Sequence, residues 1–411
     1  MNAHTSPARV GLEISGTLID RRRHLGVGGF TTSDARVTEQ IFRALLFHSP
    51  EAVRLELFGN SALLLEPDEQ ARFREQGLPF HRLPSVPDVF LLRTLLSGKF
   101  QAFLRQRVYA ARCARRDLAL MHYTGAAGAW GDRALAAREL VMAYDLYPER
   151  MNPAALEATR SRVARRLDTL WVSAISSFTA QDVVEQLGVP AGRVISIPLA
   201  VDHDIYRPEA TVEEDRLRLT QRFPEGFVLF VGSFSQRKNF PALAEAMERL
   251  NAGVAKPIPL VMAGPELGAP YRERQRMRAH LSEFFQKTPF TEILRPTDTE
   301  MAALYRRARV LVHPSVFEGF GLTVLEALAC GCPVVCGRHS SLVEVGGPAA
   351  VFVEDVRDPE QLCDATRQAL SASEEARRAR EKIGLQHAST FTWERFQQGT
   401  VALYRRILGL S

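Results

Sequence analysis

The side chains best placed to do chemistry lie in HPSVFEGFGLTVLEALACGCPVV, residues 313–335. Glu318 falls in a Gly-rich turn and Glu326 in the helix that follows, so the two carboxylates can flank one ligand. A loop carboxylate can reach a reacting group, and a helical one can grip hydroxyls with two acceptor oxygens. The backbone amides of Gly321, Leu322 and Thr323 fall at the helix start, where unpaired N–H groups and the positive end of the dipole hold anionic oxygens. Each part also has a plain structural reading. Thr323-x-x-Glu326 fits a capping box, Gly319 and Gly321 fit turn residues, and Glu318 fits a solvated side chain. The complete string in its strand–turn–helix order favours a ligand site.

A second group is Arg237-Lys238 in FVLFVGSFSQRKNFPALAEAM, again between an apolar strand and a helix. A planar guanidinium fork beside an ammonium point charge suits two phosphates, whereas a solvated pair at a helix start is the plain alternative. In the first half, Gly28 and Gly29 of LGVGGFTTSDARVTEQIFRAL precede a helix and would let backbone approach a ligand, although G-x-G-x-x-G is absent. His122 ends an apolar run in DLALMHYTG, as fit for a strand-end histidine as for a functional one. Asp202-His203-Asp204 could hold a divalent ion against a diphosphate, but the basic pair can do that neutralising, and no metal or other cofactor is expected. Cys330, Cys332 and Cys336 lack the paired Cys-x-x-Cys spacing of a zinc site and read as small buried residues.

The elements that must position these groups follow from length and pattern. A chain of 411 residues exceeds one usual core, so two domains are expected. With 46% apolar and 24% charged residues, composition gives no argument for disorder or fibre. No run is long and apolar enough for a membrane span, and MNAHTSPARV lacks the order of a secretory signal. Five cysteines in such a chain read as reduced thiols, which points to the cytoplasm. Residues 1–200 hold 25 Lys+Arg against 20 Asp+Glu, and the rest balance at 27 each, so the net +5 belongs to the first half. Much of it lies in residues 99–116 and 160–168, basic helical segments that suit anionic lipid on the inner membrane face, a phosphate, or plain solvation. Neither shows a nucleic-acid reading motif.

Short β-branched runs alternate with segments of helical period, the pattern of a parallel-sheet α/β protein. The alternation occurs twice. The expected strands are Val10–Ile14, Arg54–Phe58, Leu118–Met121, Leu140–Ala143, Leu170–Val172 and Val194–Ile197, then Phe227–Val231, Pro259–Ala263, Glu292–Leu294, Val310–His313, Pro333–Val335 and Ala350–Val353. Pro198 and Pro208 bracket the polar link between the two sets. The expected domains are 1–198 and 199–391, with residues 392–411 as a closing helix.

The 313–335 string resembles the Glu-x7-Glu signature of retaining glycosyltransferase family 4, in its mannosyltransferase-like subgroup. Residues 227–247 are similar to that family's strand and phosphate loop, and SSLVEVGGPAAVFVE to the segment after its signature. The resemblance implies two facing Rossmann-like domains (GT-B), with FTWERF opening a helix that crosses back to the first. It also implies a retaining, metal-independent transfer of a hexose from a nucleoside-diphosphate sugar, GDP-mannose ahead of UDP-sugars, to a glycan, lipid-linked or protein acceptor. Glu318, Arg237, Lys238, Tyr144 and His122 would be the catalytic positions. Glu326, Gly28, Gly29, Ser233, Phe320, Gly321, Leu322 and Thr323 would bind the donor. Two departures stand out. Tyr144 in VMAYDLYPER replaces the usual His of a His-Asp-Leu, and LAVD lacks the usual Asn-Gly before Val-Asp. A phenol donates a hydrogen bond but carries no positive charge near neutral pH. The competing activities are a nucleotide-sugar epimerase or phosphorylase on the same fold, and a catalytically idle glycan- or nucleotide-binding protein.

Overall fold

The computed structural model describes residues 7–13, 33–48, 51–59, 67–82, 117–124, 136–210, 212, 226–264, 279, 282, 284 and 288–410. Gly28, Gly29 and the basic segment 99–116 lie outside them. Among the described residues, contacts gather into two compact units: the first ends at Pro198 and takes back the chain from Glu394 onward, and the second spans Leu199–Trp393.

In the first unit the order is β1 (Ala8–Glu13), α1 (Ser33–His48), β2 (Val53–Gly59), α2 (Pro67–Gln76), β3 (Phe80–Arg82), β4 (Leu120–Tyr123), β5 (Glu139–Ala143), α3 (Pro153–Ala164), β6 (Leu170–Ala174), α4 (Ser177–Leu187) and β7 (Val194–Ser196). The strands pair in parallel as β3-β2-β1-β4-β5-β6-β7. Their side chains are apolar on both faces, as a sheet covered on both sides requires: Leu120, Met121, Leu140 and Val141 are all fully buried. β3 was not expected. Its three residues lie at the sheet edge close after a glycine and a proline, too short to show a period of their own.

The second unit runs β8 (Val228–Val231), α5 (Phe240–Asn251), β9 (Leu260–Gly264), β10 (Phe290–Leu294), α6 (Asp298–Arg307), β11 (Val310–His313), α7 (Leu322–Ala329), β12 (Val334–Gly337), β13 (Val351–Val353), α8 (Pro359–Ser371) and α9 (Glu374–Ala388). These strands also pair in parallel, as β10-β9-β8-β11-β12-β13. The chain is thus an α/β protein of two Rossmann-like units. Phe240 anchors the second core, packing edge-on to Phe230 and Phe234 with centroids 5.1 and 4.9 Å away. Such ring pairs add roughly 0.5–1.5 kcal/mol each beyond area burial. No helix among the described residues is long and apolar enough to cross a membrane.

The last helix, α10 (Trp393–Leu408), closes the first unit's core. Gln397 donates to Gln40 of α1 over 2.8 Å, Arg406 donates to Gly192 O over 2.9 Å, and Gly399 lies against Ile197. Tyr404 is fully buried, its hydroxyl 2.6 Å from Nδ1 of His122 on β4. His122 is therefore a buried side chain of the sheet–helix layer, and burial pushes its imidazole down from 6.5 to about 3.

This burial has a pH consequence of definite sign. Between pH 6.5 and about 3 the folded chain binds fewer protons at His122 than the unfolded chain. Stability from a neutral His122 is whole above pH 6.5 and is lost as pH falls through that window, by up to about 1.4 kcal/mol per pH unit. Denaturant melts of the wild type and of His122→Leu should show a flatter acid slope in the variant; equal slopes would reject the assignment.

Candidate functional site

In the second sheet the strand order reverses between β8 and β11, so the loops leaving their C-terminal ends diverge around a crevice, the usual ligand position in open α/β sheets. β8 leads through Gly232 and Ser233 to Arg237 and Lys238, while β11 leads from His313 to Glu318. The loops are stitched together. Val316 N donates to Arg237 O over 2.9 Å, and Arg237 Nη1 donates to Phe317 O over 3.1 Å. Phe234 and Phe240, both buried, pin the two ends of the basic loop in the core. Asn239 turns the chain into α5 through a left-handed φ of 52°, its amide held on Val356 O at 2.7 Å.

Glu318 lies at the centre of the cluster. Its Oε2 accepts from Arg237 Nη1 at 2.6 Å, and its Oε1 accepts from Lys238 Nζ at 2.6 Å and from His313 Nε2 at 3.2 Å. Burial alone would raise this carboxyl, but Lys238, the His313 hydrogen bond and Arg237 outweigh it and hold Glu318 well below the usual carboxylate range. For Lys238, burial outweighs the attraction of Glu318 and, with Arg237 adding to it, lowers the ammonium. His313 is lowered by burial and by Lys238, so it is the neutral ring with hydrogen on Nε2, facing an acceptor-only carboxylate. Two cations on one carboxylate leave a net positive charge at the crevice. Buried ion pairs contribute little net stability, so a cluster of this kind is weak evidence for a structural role and better evidence for a binding one.

Backbone approaches backbone closely where β8 and β9 end. A Cβ on Gly264 would come within 2.1 Å of Gly232 O, so the ends of β8 and β9 can meet only with glycine there. The Glu318 turn is clamped from behind: Ser341 Oγ lies 2.8 Å from both Glu318 O and Phe320 O, and Ser340 Oγ accepts from Glu318 N at 3.3 Å. Phe320 is buried, with its ring 5.9 Å from that of Phe391. Gly321, at φ 105°, is the N-cap of α7, and Val324 and Leu325 make the first helical bonds, both to Gly321 O. Leu322 and Thr323 therefore supply the amides at the helix start. Thr323 lies inside the helix with no side-chain cap bond at this terminus, so the capping-box arrangement is absent. Glu326 is buried, and its Oε2 accepts from the Tyr305 hydroxyl of α6 at 2.9 Å.

The structure thus brings Arg237, Lys238 and Glu318 into direct contact, with Ser233 at the start of the basic loop and Phe320, Gly321, Leu322 and Thr323 on the same turn as Glu318. Tyr144 and His122 belong to the first unit, where the Tyr144 hydroxyl donates to Thr124 O at 2.8 Å. Asp202 Oδ1 accepts from Asp204 N at 3.0 Å, so the Asp-His-Asp string forms a local turn. Arg166 of the basic 160–168 segment is buried on Glu139, so that segment is partly structural. Cys330, Cys332 and Cys336 are free and buried. Sequence reasoning gave no role to His313, Tyr305, Ser340 or Ser341. Their partners stand at separations of 5, 21, 22 and 23 residues, where no periodic or motif signal operates.

The chain is similar to several known proteins. Residues 212–384 match the model of the family described as Glycosyl transferases group 1. O-antigen chain mannosyltransferase B of Escherichia coli is 30% identical over 236 residues, covering 56% of this chain and 59% of that protein. A D-inositol 3-phosphate glycosyltransferase of Corynebacterium jeikeium is 28% identical over 232 residues, 55% of each. The chain thus spans less than two thirds of the length of these relatives. Among solved structures, the sucrose-phosphate synthase of Thermosynechococcus elongatus shares the fold with a TM-score of 0.72 at 20% identity, over 98% of this chain and 100% of that one. Anabaena Alr3699/HepE, solved in complex with UDP-glucose, does so at 0.68 and 13% identity, over 97% and 99%.

The clamp on the Glu318 turn gives a stability prediction. Ser341→Ala leaves two inward-facing carbonyls without their hydroxyl donor, at a cost of about 1–3 kcal/mol. A thermal melt unchanged from wild type would show that the hydroxyl is dispensable.

Proposed function

We infer that this chain is a retaining, metal-independent glycosyltransferase that moves a hexose from a nucleoside-diphosphate sugar to a glycan, lipid-linked or protein acceptor. The observation that carries the reading is the convergence of Arg237 and Lys238 on Glu318 at the switch point of the second sheet, beside the amides that open α7. In a transfer, the bond from the sugar's anomeric carbon to the β-phosphate oxygen breaks, a new bond forms to an acceptor hydroxyl oxygen, and the hydroxyl's proton passes to the departing diphosphate. Negative charge grows on the departing diphosphate. Fixed cations and amides stabilise that charge more than the ground state, which lowers the barrier. A diphosphate would compete for the donors that Glu318 holds, and Glu318 would then face the transferred sugar.

The donor preference, GDP-mannose before UDP-sugars, is supported by the similarity to mannosyltransferases, while the UDP-glucose complex of Alr3699/HepE supports the runner-up. Two cations already serve the diphosphate, which supports transfer without a metal. The cationic excess of residues 1–200 supports peripheral contact with anionic membrane as part of the same reading.

The test is turnover of GDP-mannose and UDP-glucose by the full chain with a panel of acceptors. Arg237→Ala and Lys238→Ala should each lower kcat/KM by about 100-fold or more and weaken nucleotide binding. Wild-type values in both variants would remove the phosphate assignment. Chelator should leave turnover intact, and a loss restored by a divalent ion would overturn the metal-free mechanism.

A further inference from the structure

Glu318 draws its donors from two loops that differ in access to solvent. Arg237 and Lys238 come from the basic loop after β8, and their side chains are 29% and 15% exposed. His313 ends β11 and is 1% exposed. A ligand entering from solvent therefore meets the two cations, while the imidazole is closed off from it. The donors differ in charge as well. Burial and Lys238 keep the ring neutral, with its hydrogen on Nε2 toward the carboxylate.

Packing alone does not account for this histidine. Val310, Leu311 and Val312, the rest of β11, are fully buried aliphatics, and His313 continues their register against Cys336 of β12. Its Nδ1 is buried without a hydrogen-bond partner among the described residues. An aliphatic side chain at this place would avoid that cost. What the ring supplies instead is one N–H, 3.2 Å from Glu318 Oε1.

A diphosphate changes the balance among the three donors. Hydrogen bonds from charged groups are about twice as strong as those between neutral ones, so a polyanion draws the guanidinium and the ammonium more than the ring. Arg237 and Lys238 reach the surface and can turn toward it; His313 is fixed in the sheet. With the cations engaged and no third donor, Glu318 would lose all its present side-chain partners, and would follow the cations and compete for them. We propose that His313 is the positioning residue for Glu318: while the donor's diphosphate engages Arg237 and Lys238, the Nε2–H of His313 stays on Oε1 and keeps the carboxylate in its place through the transfer. Gripping the diphosphate and orienting the carboxylate thereby fall to different donors. The inference rests on the reading of this unit as a nucleoside-diphosphate sugar site.

The experiment compares wild type with His313→Leu, which removes the N–H, and with His313→Gln, whose side-chain amide restores a neutral donor. For each, calorimetric affinities for GDP and UDP, turnover of GDP-mannose and UDP-glucose with the acceptor panel, and melting temperatures are measured. His313→Leu should lower kcat by about tenfold to a hundredfold, while affinity for the nucleotide that wild type binds stays within about threefold. His313→Gln should recover most of the lost kcat. A histidine that only fills space would be replaced well by Leu and poorly by Gln, so kcat in that order, or kcat that tracks the melting temperature, overturns the inference. A loss of nucleotide affinity large enough to explain the whole loss of turnover overturns it too. A nitrogen NMR spectrum of histidine-labelled wild type tests the same point without any variant. Saturating GDP or UDP should leave the His313 ring neutral with its hydrogen on Nε2, and conversion to the imidazolium or to the Nδ1–H tautomer overturns the inference. If wild type binds neither GDP nor UDP, the functional reading fails first and this inference with it; nucleotide binding with wild-type kcat in His313→Leu sinks the inference alone.

Discussion

One carboxylate with three donors governs the second unit. Glu318 gathers Arg237, Lys238 and His313 from two loops that are far apart in sequence and leave adjacent parallel strands. Each donor alone would be a costly buried or half-buried polar group. Together they satisfy one another, and the charge left over is positive. The surrounding architecture follows from keeping this arrangement in register: aromatic pins at both ends of the basic loop, a serine clamp behind the acidic turn, and a glycine contact where β8 and β9 come too close for any side chain.

The second carboxylate obeys the same logic at a different energy scale. Glu326 accepts from a phenol, and that phenol is itself braced by the chain segment at the start of the unit. The two glutamates of the Glu-x7-Glu string thus meet different side chains, although they are the same residue type on one continuous turn and helix.

The first unit holds a histidine whose place in the sequence fits two readings. His122 ends an apolar strand, which is where ligand-binding histidines of parallel sheets lie. Its side chain nevertheless faces the last helix and meets Tyr404, a residue 282 positions away. Nothing near His122 in sequence announces that helix. Tyr144 is similarly occupied, its hydroxyl on the carbonyl of Thr124 at the end of the neighbouring strand.

What the sequence determined by itself was local or periodic. Twelve strands were legible because a run of β-branched and aliphatic residues reports its own burial, and the doubled alternation gave the α/β class; β3, with three residues at an edge, carried too little pattern to read. The turn of Gly319 and Gly321, the cationic pair and the two glutamates were legible as residue types in a strand–loop–helix order. Only tertiary structure decided which groups touch. It put Arg237 and Lys238 on Glu318, gave Glu326 to Tyr305 instead of to a capping box with Thr323, and turned His122 inward. The physical reason is that strand order in a parallel sheet is set by how whole faces bury against one another. Contacts made at the strand ends inherit that order, and it leaves no mark on the spacing of the residues that meet there.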